Sequence, residues 1–167
     1  MNGLPIMMGQ GCGLLMVRQN FKTFSAQRTQ SYTELHRDMS EIEYNAISSR
    51  IVKAAIEVHN ELGPGLLESV YENCLMDELK SVGLFAKQQV QLPLFYKGKK
   101  LNKDFVIDIL VEDKVILELK SIETILPIHD FQLLTYLKLS GMKLGLLINF
   151  NVVRLKDGIH RKINGTL

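Results

Sequence analysis

Apolar residues recur along the chain with two different periods, and the points where the period changes divide it into elements. From Glu41 to Leu62 the apolar positions follow a helical spacing, which predicts a first helix. These positions are Ile42, Ile47, Ile51, Ala54, Ala55, Val58 and Leu62. Gly63-Pro64-Gly65 follows and is typical of a helix end. A second helix is predicted from Leu67 to Val82, and its expected buried face contains Val70, Cys74, Leu75 and Leu79.

After Gly83 the period changes to two, which indicates strands. The sequence predicts a strand in AKQQVQLPLFYKG, a turn in KGKK, a second strand in KDFVIDILV, a turn in EDK and a third strand in VILELKS. Helical spacing returns in IHDFQLLTYLKLSG through Phe131, Leu134, Leu137 and Leu139. The run KLGLLINF suits a strand that is covered on both faces, and NVVRLKDGIHRKI is predicted to form a hairpin around Asp157-Gly158. The order α-α-β-β-β-α-β predicts an α/β fold.

Composition limits the class of protein. The chain has 167 residues, of which 46% are hydrophobic and 23% charged, as expected for one soluble globular domain with its own core. No stretch approaches the roughly 18 apolar residues that a membrane span needs. Cys12 and Cys74 are far apart and lack metal-ligand spacing, which favours a reducing, cytoplasmic setting.

Residues 1–38 differ from the rest of the chain. They show neither period and are rich in Gly, Gln, Ser and Thr, whereas Met39 opens a sequence that resembles a natural protein start. We expect residues 1–38 to be an upstream extension with little fixed structure, and residues 39–167 to be the domain. The net charge of +2 comes mostly from this extension, so it does not by itself indicate a nucleic-acid partner.

Three charged residues interrupt the second and third predicted strands. Charges in a strand are costly unless they are paired or bind a metal. Glu118 and Lys120 are two apart and therefore share a face. If the turn consists of Glu112-Asp113-Lys114, Val111 pairs with Val115 and Asp108 lies opposite Glu118. A two-residue turn would instead send Glu118 to the other face.

Two carboxylates on one face would attract a divalent cation such as Mg²⁺, which prefers oxygen ligands. Lys120 beside them could stabilise a phosphate or position a water molecule. The alternative is that Lys120 only pairs with Asp108 or Glu118 at the end of a strand, and the spacing leaves both interpretations open.

Two helices carry further candidates. Glu68 and Tyr71 are three apart in GPGLLESVYEN, although an acidic residue in a first helical turn is often only a partner of the helix dipole. Gln132 and Tyr136 are four apart in HDFQLLTYLK, with His129 one turn earlier. Such residues are often found at the rim of an apolar helix face rather than as ligands.

The segment GLLESVY, residues 65–71, resembles the signature of the GxxExxY family, which consists of small prokaryotic proteins in the PD-(D/E)XK nuclease superfamily. The resemblance extends from about Ile42 to Ile163 and includes LGPGLLESVYE, the D…ELK strands, H…Q…YLK and GLLINF. It implies a restriction-endonuclease-like core, in which a central mixed β-sheet is flanked by helices.

The resemblance also implies roles for individual residues. Asp108 corresponds to the acidic metal ligand of the second core strand, Glu118 and Lys120 to the E-x-K motif, and the Leu119 carbonyl to a further metal ligand. Glu68 resembles the acidic residue of the first core helix, and it is expected to bind the metal directly or through water. Gln132 and Tyr136 resemble the Q-x-x-x-Y motif, which with Tyr71 and His129 would position the substrate. Ile107 replaces the proline in the superfamily's name, which is often absent.

The implied function is a Mg²⁺- or Mn²⁺-dependent nuclease that hydrolyses phosphodiester bonds by metal-activated water, with DNA as the expected substrate. Lys97, Lys99, Lys100 and Lys103 could guide its backbone, or could simply form a solvated hairpin tip. One alternative is a catalytically silent module with the nuclease fold that binds nucleic acid or a protein. Another is a small interaction domain that forms a homodimer.

Overall fold

The elements of the structure follow the predicted order. The computed structural model describes residues 40–167 except Gly98. Helix α1 covers residues 40–62, and it is followed by α2 (Glu68–Ser81), β1 (Ala86–Tyr96), β2 (Lys99–Val111), β3 (Val115–Lys120), α3 (Pro127–Ser140), β4 (Leu144–Asn149), a 3-10 helix (Leu155–Gly158) and β5 (Ile159–Ile163). The extension predicted for residues 1–38 lies outside the described residues and stays a prediction.

The five strands form one mixed sheet in the order β1-β2-β3-β4-β5. β3 and β4 are parallel, and the other neighbouring pairs are antiparallel. A parallel pair needs a crossover connection, which α3 provides between β3 and β4. The mixed sheet with flanking helices confirms the predicted fold class.

Buried side chains form a separate cluster on each face of the sheet. On one face, α1 and α2 pack through residues such as Ile51, Leu75 and Leu79. On the other face, α3 packs through Leu133, Tyr136 and Leu137. We call these the α1–α2 cluster and the α3 cluster. Every residue of β4 is buried, as the continuous apolar run LGLLIN predicts for a strand covered on both faces.

The turn between β2 and β3 contains Glu112, Asp113 and Lys114, and Val111 pairs with Val115. This register confirms the predicted odd loop. Glu112 and Asp113 have φ values of 52° and 51°, and the Lys114 N–H donates to the Val111 carbonyl. The left-handed conformation at two successive residues closes the turn without changing the register of the strands.

Some predicted helix faces were wrong. In α3, Phe131 and Leu139 are 62% and 42% exposed, while Leu133 and Tyr136 are buried. In α2, Val70 is exposed and Tyr71 is buried. These helices contain apolar residues on more than one stripe, so spacing alone did not single out the stripe that meets the sheet.

Two strand predictions also need correction. β2 begins at Lys99, so the KGKK segment is only partly turn, since cross-strand pairing continues to Tyr96 and Lys99. The prediction of a C-terminal hairpin was wrong, because β5 pairs with β4 rather than with residues 151–155. The 3-10 helix fills the connection that was expected to be a strand. Among residues 40–167 apart from Gly98, no helix is long and apolar enough to cross a membrane.

Helix α3 packs tightly against β4 at Gly145, where the side chain of Leu133 covers the glycine. A Cβ atom added there would lie 2.7 Å from Cδ1 of Leu133, which is fully buried. The Gly145→Ala change should therefore lower the free energy of unfolding by about 1–3 kcal/mol through overpacking. Equilibrium urea unfolding measures this change.

The same substitution in a Leu133→Ala background provides the control. Removing the Leu133 methyl groups opens space for the new Cβ, so the cost of Gly145→Ala should largely disappear in this background. An equal cost in both backgrounds would contradict a steric origin.

Candidate functional site

The first feature of the site is the point where β2 and β3 separate. Their paired register runs from Val111–Val115 to Ile109–Leu117, and one further step places Asp108 opposite Glu118. The Leu119 N–H donates to Asp108 Oδ2 at 2.8 Å. A side-chain carboxylate thus accepts a hydrogen bond from the backbone of β3 and is held beside Glu118.

Glu118 is the most deeply buried charged group of the site, with 2% of its surface exposed. Its Oε1 atom accepts hydrogen bonds from Lys120 Nζ at 2.6 Å and from Gln132 Nε2 at 2.9 Å. Its Oε2 atom is buried without a hydrogen-bond partner in the described part of the chain. A buried carboxylate oxygen without a partner is costly, so this oxygen keeps an unused capacity to accept a hydrogen bond or bind a cation.

Burial and the charge of Asp108 both disfavour the charged form of Glu118. Burial raises the pKa of Glu118 to about 7, and the negative charge of Asp108 adds to this rise. Burial also raises the pKa of Asp108, although the hydrogen bond from Leu119 and the charge of Lys120 oppose the rise. The site therefore carries more negative charge than Lys120 neutralises, and a cation would relieve this excess.

Lys120 links the carboxylate to the backbone of β3. Its ammonium group donates to Glu118 Oε1 and also to the Leu119 carbonyl at 3.0 Å. Burial lowers the pKa of Lys120, but the hydrogen bond and charge of Glu118 outweigh this effect, so the pKa lies above its ordinary value. Pairing with Glu118 was the simpler of the two interpretations for Lys120, and the structure contains this pair.

Helix α3 contributes the next contacts. Gln132 Nε2 donates to Tyr136 Oη at 2.9 Å as well as to Glu118. Tyr136 is 5% exposed, and its ring lies 5.2 Å from that of Phe105. The structure thus brings Gln132 and Tyr136 to the carboxylates. The two residues form a hydrogen-bonded chain that ends on Glu118, so they are more than polar residues at the rim of an apolar helix face.

Glu68, the first residue of α2, lies near the carboxylates. It is half-buried, and its negative charge contributes to raising the pKa of both Asp108 and Glu118. However, no three His, Cys, Asp or Glu side chains among the described residues are close enough to hold one metal ion. Direct metal ligation by Glu68 therefore has no support from this geometry and stays a prediction.

Tyr71 lies in the core next to the site and holds the loop that precedes α2. It is fully buried, and its hydroxyl donates to the Gly63 carbonyl at 2.7 Å and accepts from the Leu66 N–H at 3.1 Å. Its ring stacks on Phe150 with centroids 4.4 Å apart. The Phe150 N–H in turn donates to the Lys120 carbonyl. The predicted role of Tyr71 in substrate positioning would therefore operate through the loop that it holds.

His129 has a local contact at the start of α3. The Leu126 N–H donates to His129 Nδ1 at 3.1 Å, so the imidazole caps the first turn of the helix. Its predicted role in substrate positioning is not tested by this contact and stays a prediction.

Sequence reasoning did not identify two other polar residues close to the site. Asn149 is 2% exposed, and its side-chain amide binds both the N–H and the carbonyl of Ile122 just after β3. Glu72 is 8% exposed and accepts from Gln89 Nε2. The signal for Glu72 was its spacing of four from Glu68, and that for Asn149 was a polar residue at the end of an apolar run.

The donors at the site suit a hard divalent cation. Asp108, Glu118 Oε2 and the Leu119 carbonyl supply only oxygen atoms, as Mg²⁺ and Mn²⁺ prefer. The unpartnered Glu118 Oε2 is the observation that tests the fit, because a cation would satisfy it. The predicted ligands other than Glu68 are therefore consistent with such a metal.

Comparison with known proteins gives one family. The family model described as the PD-(D/E)XK nuclease superfamily matches residues 45–162. The crystal structure of SSO0001 is similar over 79% of this chain, with 23% identity and a TM-score of 0.42. The match covers 63% of the SSO0001 chain, so this chain spans less than two thirds of that protein. No curated protein matched.

The raised pKa of Glu118 predicts that metal-free protein loses stability as the pH rises. Between about pH 4.5 and about 7 the folded state holds a proton on Glu118 that the unfolded state has released. The contribution of this residue to the free energy of unfolding should therefore fall by roughly 3 kcal/mol over this range. Denaturant unfolding of wild type and Glu118→Gln in chelator-treated buffer measures it.

The difference between the two proteins isolates this titration from that of other groups. Relative to Glu118→Gln, wild type should become progressively less stable from pH 4.5 to 7. A difference that stays constant over this range would contradict the raised pKa.

Proposed function

The chain belongs to the PD-(D/E)XK nuclease superfamily, and on this basis we propose that it is a metal-dependent nuclease that hydrolyses phosphodiester bonds of DNA. Membership confirms the superfamily resemblance and the restriction-endonuclease-like fold class. The narrower GxxExxY assignment stays a prediction, as do the cytoplasmic setting and a homodimer.

The observation that carries the proposal is the buried Glu118 Oε2 atom without a hydrogen-bond partner in the described chain, beside a second carboxylate. A buried ion pair with a purely structural role is expected to satisfy the remaining lone pairs of its carboxylate with further hydrogen bonds. Here Lys120 and Gln132 both bind Oε1, so they fix the carboxylate and leave the other oxygen available. This is the arrangement expected of a ligand that is held in place before the metal binds.

Asp108, Glu118 and the Leu119 carbonyl would hold the metal, with Glu68 acting through its charge or through water. A bound divalent cation would polarise the scissile phosphate and lower the pKa of a bound water molecule. The chain's own residues set the geometry: Leu119 orients Asp108 through its N–H, and Gln132 orients Glu118.

Lys120 has a separate role in the proposal. Its ammonium group is fixed between Glu118 Oε1 and the Leu119 carbonyl, so its positive charge stays beside the carboxylates at the carboxyl end of β3. Placed there, it stabilises the negative charge that develops on a phosphate during in-line attack. Gln132 and Tyr136 are proposed to position the substrate strand in addition to holding Glu118.

A polynucleotide substrate is favoured by the separation of charges along β2. Lys99 and Lys100 are exposed at the start of this strand, and Asp108 lies eight residues beyond Lys100. At about 3.3 Å per residue this separation is roughly 26 Å. A polynucleotide can contact both places at once, whereas a small phosphodiester cannot. The side chain of Lys103 lies outside the described part of the chain.

The proposal predicts metal-dependent cleavage that requires Asp108. Wild type should cleave linear, nicked or single-stranded DNA with Mg²⁺ or Mn²⁺, and Asp108→Asn should lower the rate at least about 100-fold, since such metal sites are worth several kcal/mol. RNA should be assayed in parallel to test the preference for DNA. Single-turnover kinetics on end-labelled substrates measure both rates.

Asp113→Asn is the matched control for Asp108→Asn. Asp113 lies in the same hairpin, but it is exposed in the turn and pairs with Lys87. Its substitution should leave cleavage unchanged. If wild type binds metal and DNA but cleaves no substrate, the catalytic proposal is wrong and the silent-module alternative is favoured.

Metal binding itself predicts a gain in stability. Mn²⁺ at 100 times its dissociation constant should raise the free energy of unfolding of wild type by about 2.7 kcal/mol. Glu118→Gln should lose most of this gain, because its side chain no longer offers a charged oxygen. Thermal unfolding with and without Mn²⁺ measures the effect, and an equal shift in both proteins would place the metal elsewhere.

A further inference from the structure

One residue in the middle of β1 has an unusual backbone conformation. Gln89 has a φ of 52°, in the left-handed region that residues other than glycine rarely adopt. The other described non-glycine residues with positive φ are Lys97, Glu112 and Asp113, which lie in turns. A left-handed glutamine within a paired strand therefore has to be held there by other contacts.

The strand changes face at this residue. Ala86 packs against the α1–α2 cluster, whereas Val90, four residues later, packs against the α3 cluster. In a regular strand, residues four apart share a face. The left-handed residue between them rotates the strand and breaks the alternation.

The neighbouring strand changes face at Asp108. Ile107 belongs to the α3 cluster and Ile109 to the α1–α2 cluster, although they are only two residues apart. The pairs Gln88–Ile109 and Val90–Ile107 keep the same register on both sides of this point. Gln89 therefore lies opposite Asp108, and the two strands change face together.

A buried carboxylate holds Gln89 in place. Gln89 Nε2 donates to Glu72 Oε1 at 2.6 Å, and Glu72 is 8% exposed on α2. Gln89 itself is exposed, but a buried carboxylate needs such a donor, so releasing Gln89 would be costly for Glu72.

We propose that Gln89, held by Glu72, is a positioning residue for Asp108. The left-handed conformation of Gln89 sets the joint change of face, and this change directs the Asp108 carboxylate towards the Leu119 N–H. The inference extends the proposed function because it concerns the same metal site, but the orientation of Asp108 can be measured without metal.

Gln88 provides a matched control. Its Nε2 atom donates to Asn73 Oδ1, so it also links β1 to α2 through a side-chain hydrogen bond. Gln88 does not have a positive φ, and it lies opposite Ile109 rather than Asp108. A general role in tying the helix to the strand would make the two glutamines equivalent.

The first test measures hydrogen exchange of the Leu119 amide by NMR in the full chain without metal. Gln89→Val should speed this exchange about 10-fold or more relative to amides in β4, because valine disfavours positive φ and the Asp108 acceptor is lost. Gln88→Val should leave it within about twofold. Gln89→Gly should have a smaller effect than Gln89→Val, since glycine adopts this φ without strain.

The second test measures Mn²⁺ affinity by calorimetry in the same proteins. Gln89→Val should weaken binding about 10-fold or more, as expected for a residue that orients a ligand, while Gln88→Val should bind like wild type. If Gln89→Val does not fold, Glu72→Ala releases Gln89 without a new side chain at position 89 and should show the same two changes.

The outcomes separate this inference from the proposed function. Wild type that fails to bind Mn²⁺ would overturn the metal site, while the exchange of the Leu119 amide would still test the role of Gln89. Unchanged exchange in Gln89→Val and Glu72→Ala, or equal changes in Gln88→Val, would overturn the role of Gln89.

Discussion

The site depends on keeping a carboxylate inside the protein. Glu118 lies on a strand that is buried on both faces, where an ionised group has a high desolvation cost. Lys120 and Gln132 offset part of this cost through one oxygen, and the unpartnered second oxygen retains the rest. The neighbouring elements are arranged around this unsatisfied group, since α3 provides the amide and β2 provides the second carboxylate.

The topology explains how these groups meet. The antiparallel β2–β3 hairpin brings Asp108 beside Glu118, and the parallel step from β3 to β4 requires a crossover helix above them. Because α3 is that crossover, Gln132 in its second turn reaches the end of β3. The same connection that completes the sheet therefore also completes the hydrogen-bonded chain around Glu118.

Counting residues predicted the central part of the site, because antiparallel register follows directly from the length of a turn. The sequence left a two-residue and a three-residue turn open, and the three-residue turn of the structure places Asp108 opposite Glu118. The conformation of Gln89 could not be predicted in this way, since its sequence context is that of an ordinary strand and its φ depends on contact with Glu72. The exposed position of Phe131 was missed for a similar reason, because α3 offers several apolar stripes and tertiary packing selects one.

The stacking of Tyr71 on Phe150 joins the loop before Glu68 to the backbone of Lys120. Ser121 adds a second link, since its hydroxyl donates to the Leu66 carbonyl. The loop before helix α2 and the end of β3 are thus linked by contacts other than those of the Asp108 and Glu118 carboxylates. The packing of the core and the geometry of the site are therefore mechanically coupled, because a substitution in the aromatic pair would also shift the strand end that carries Lys120.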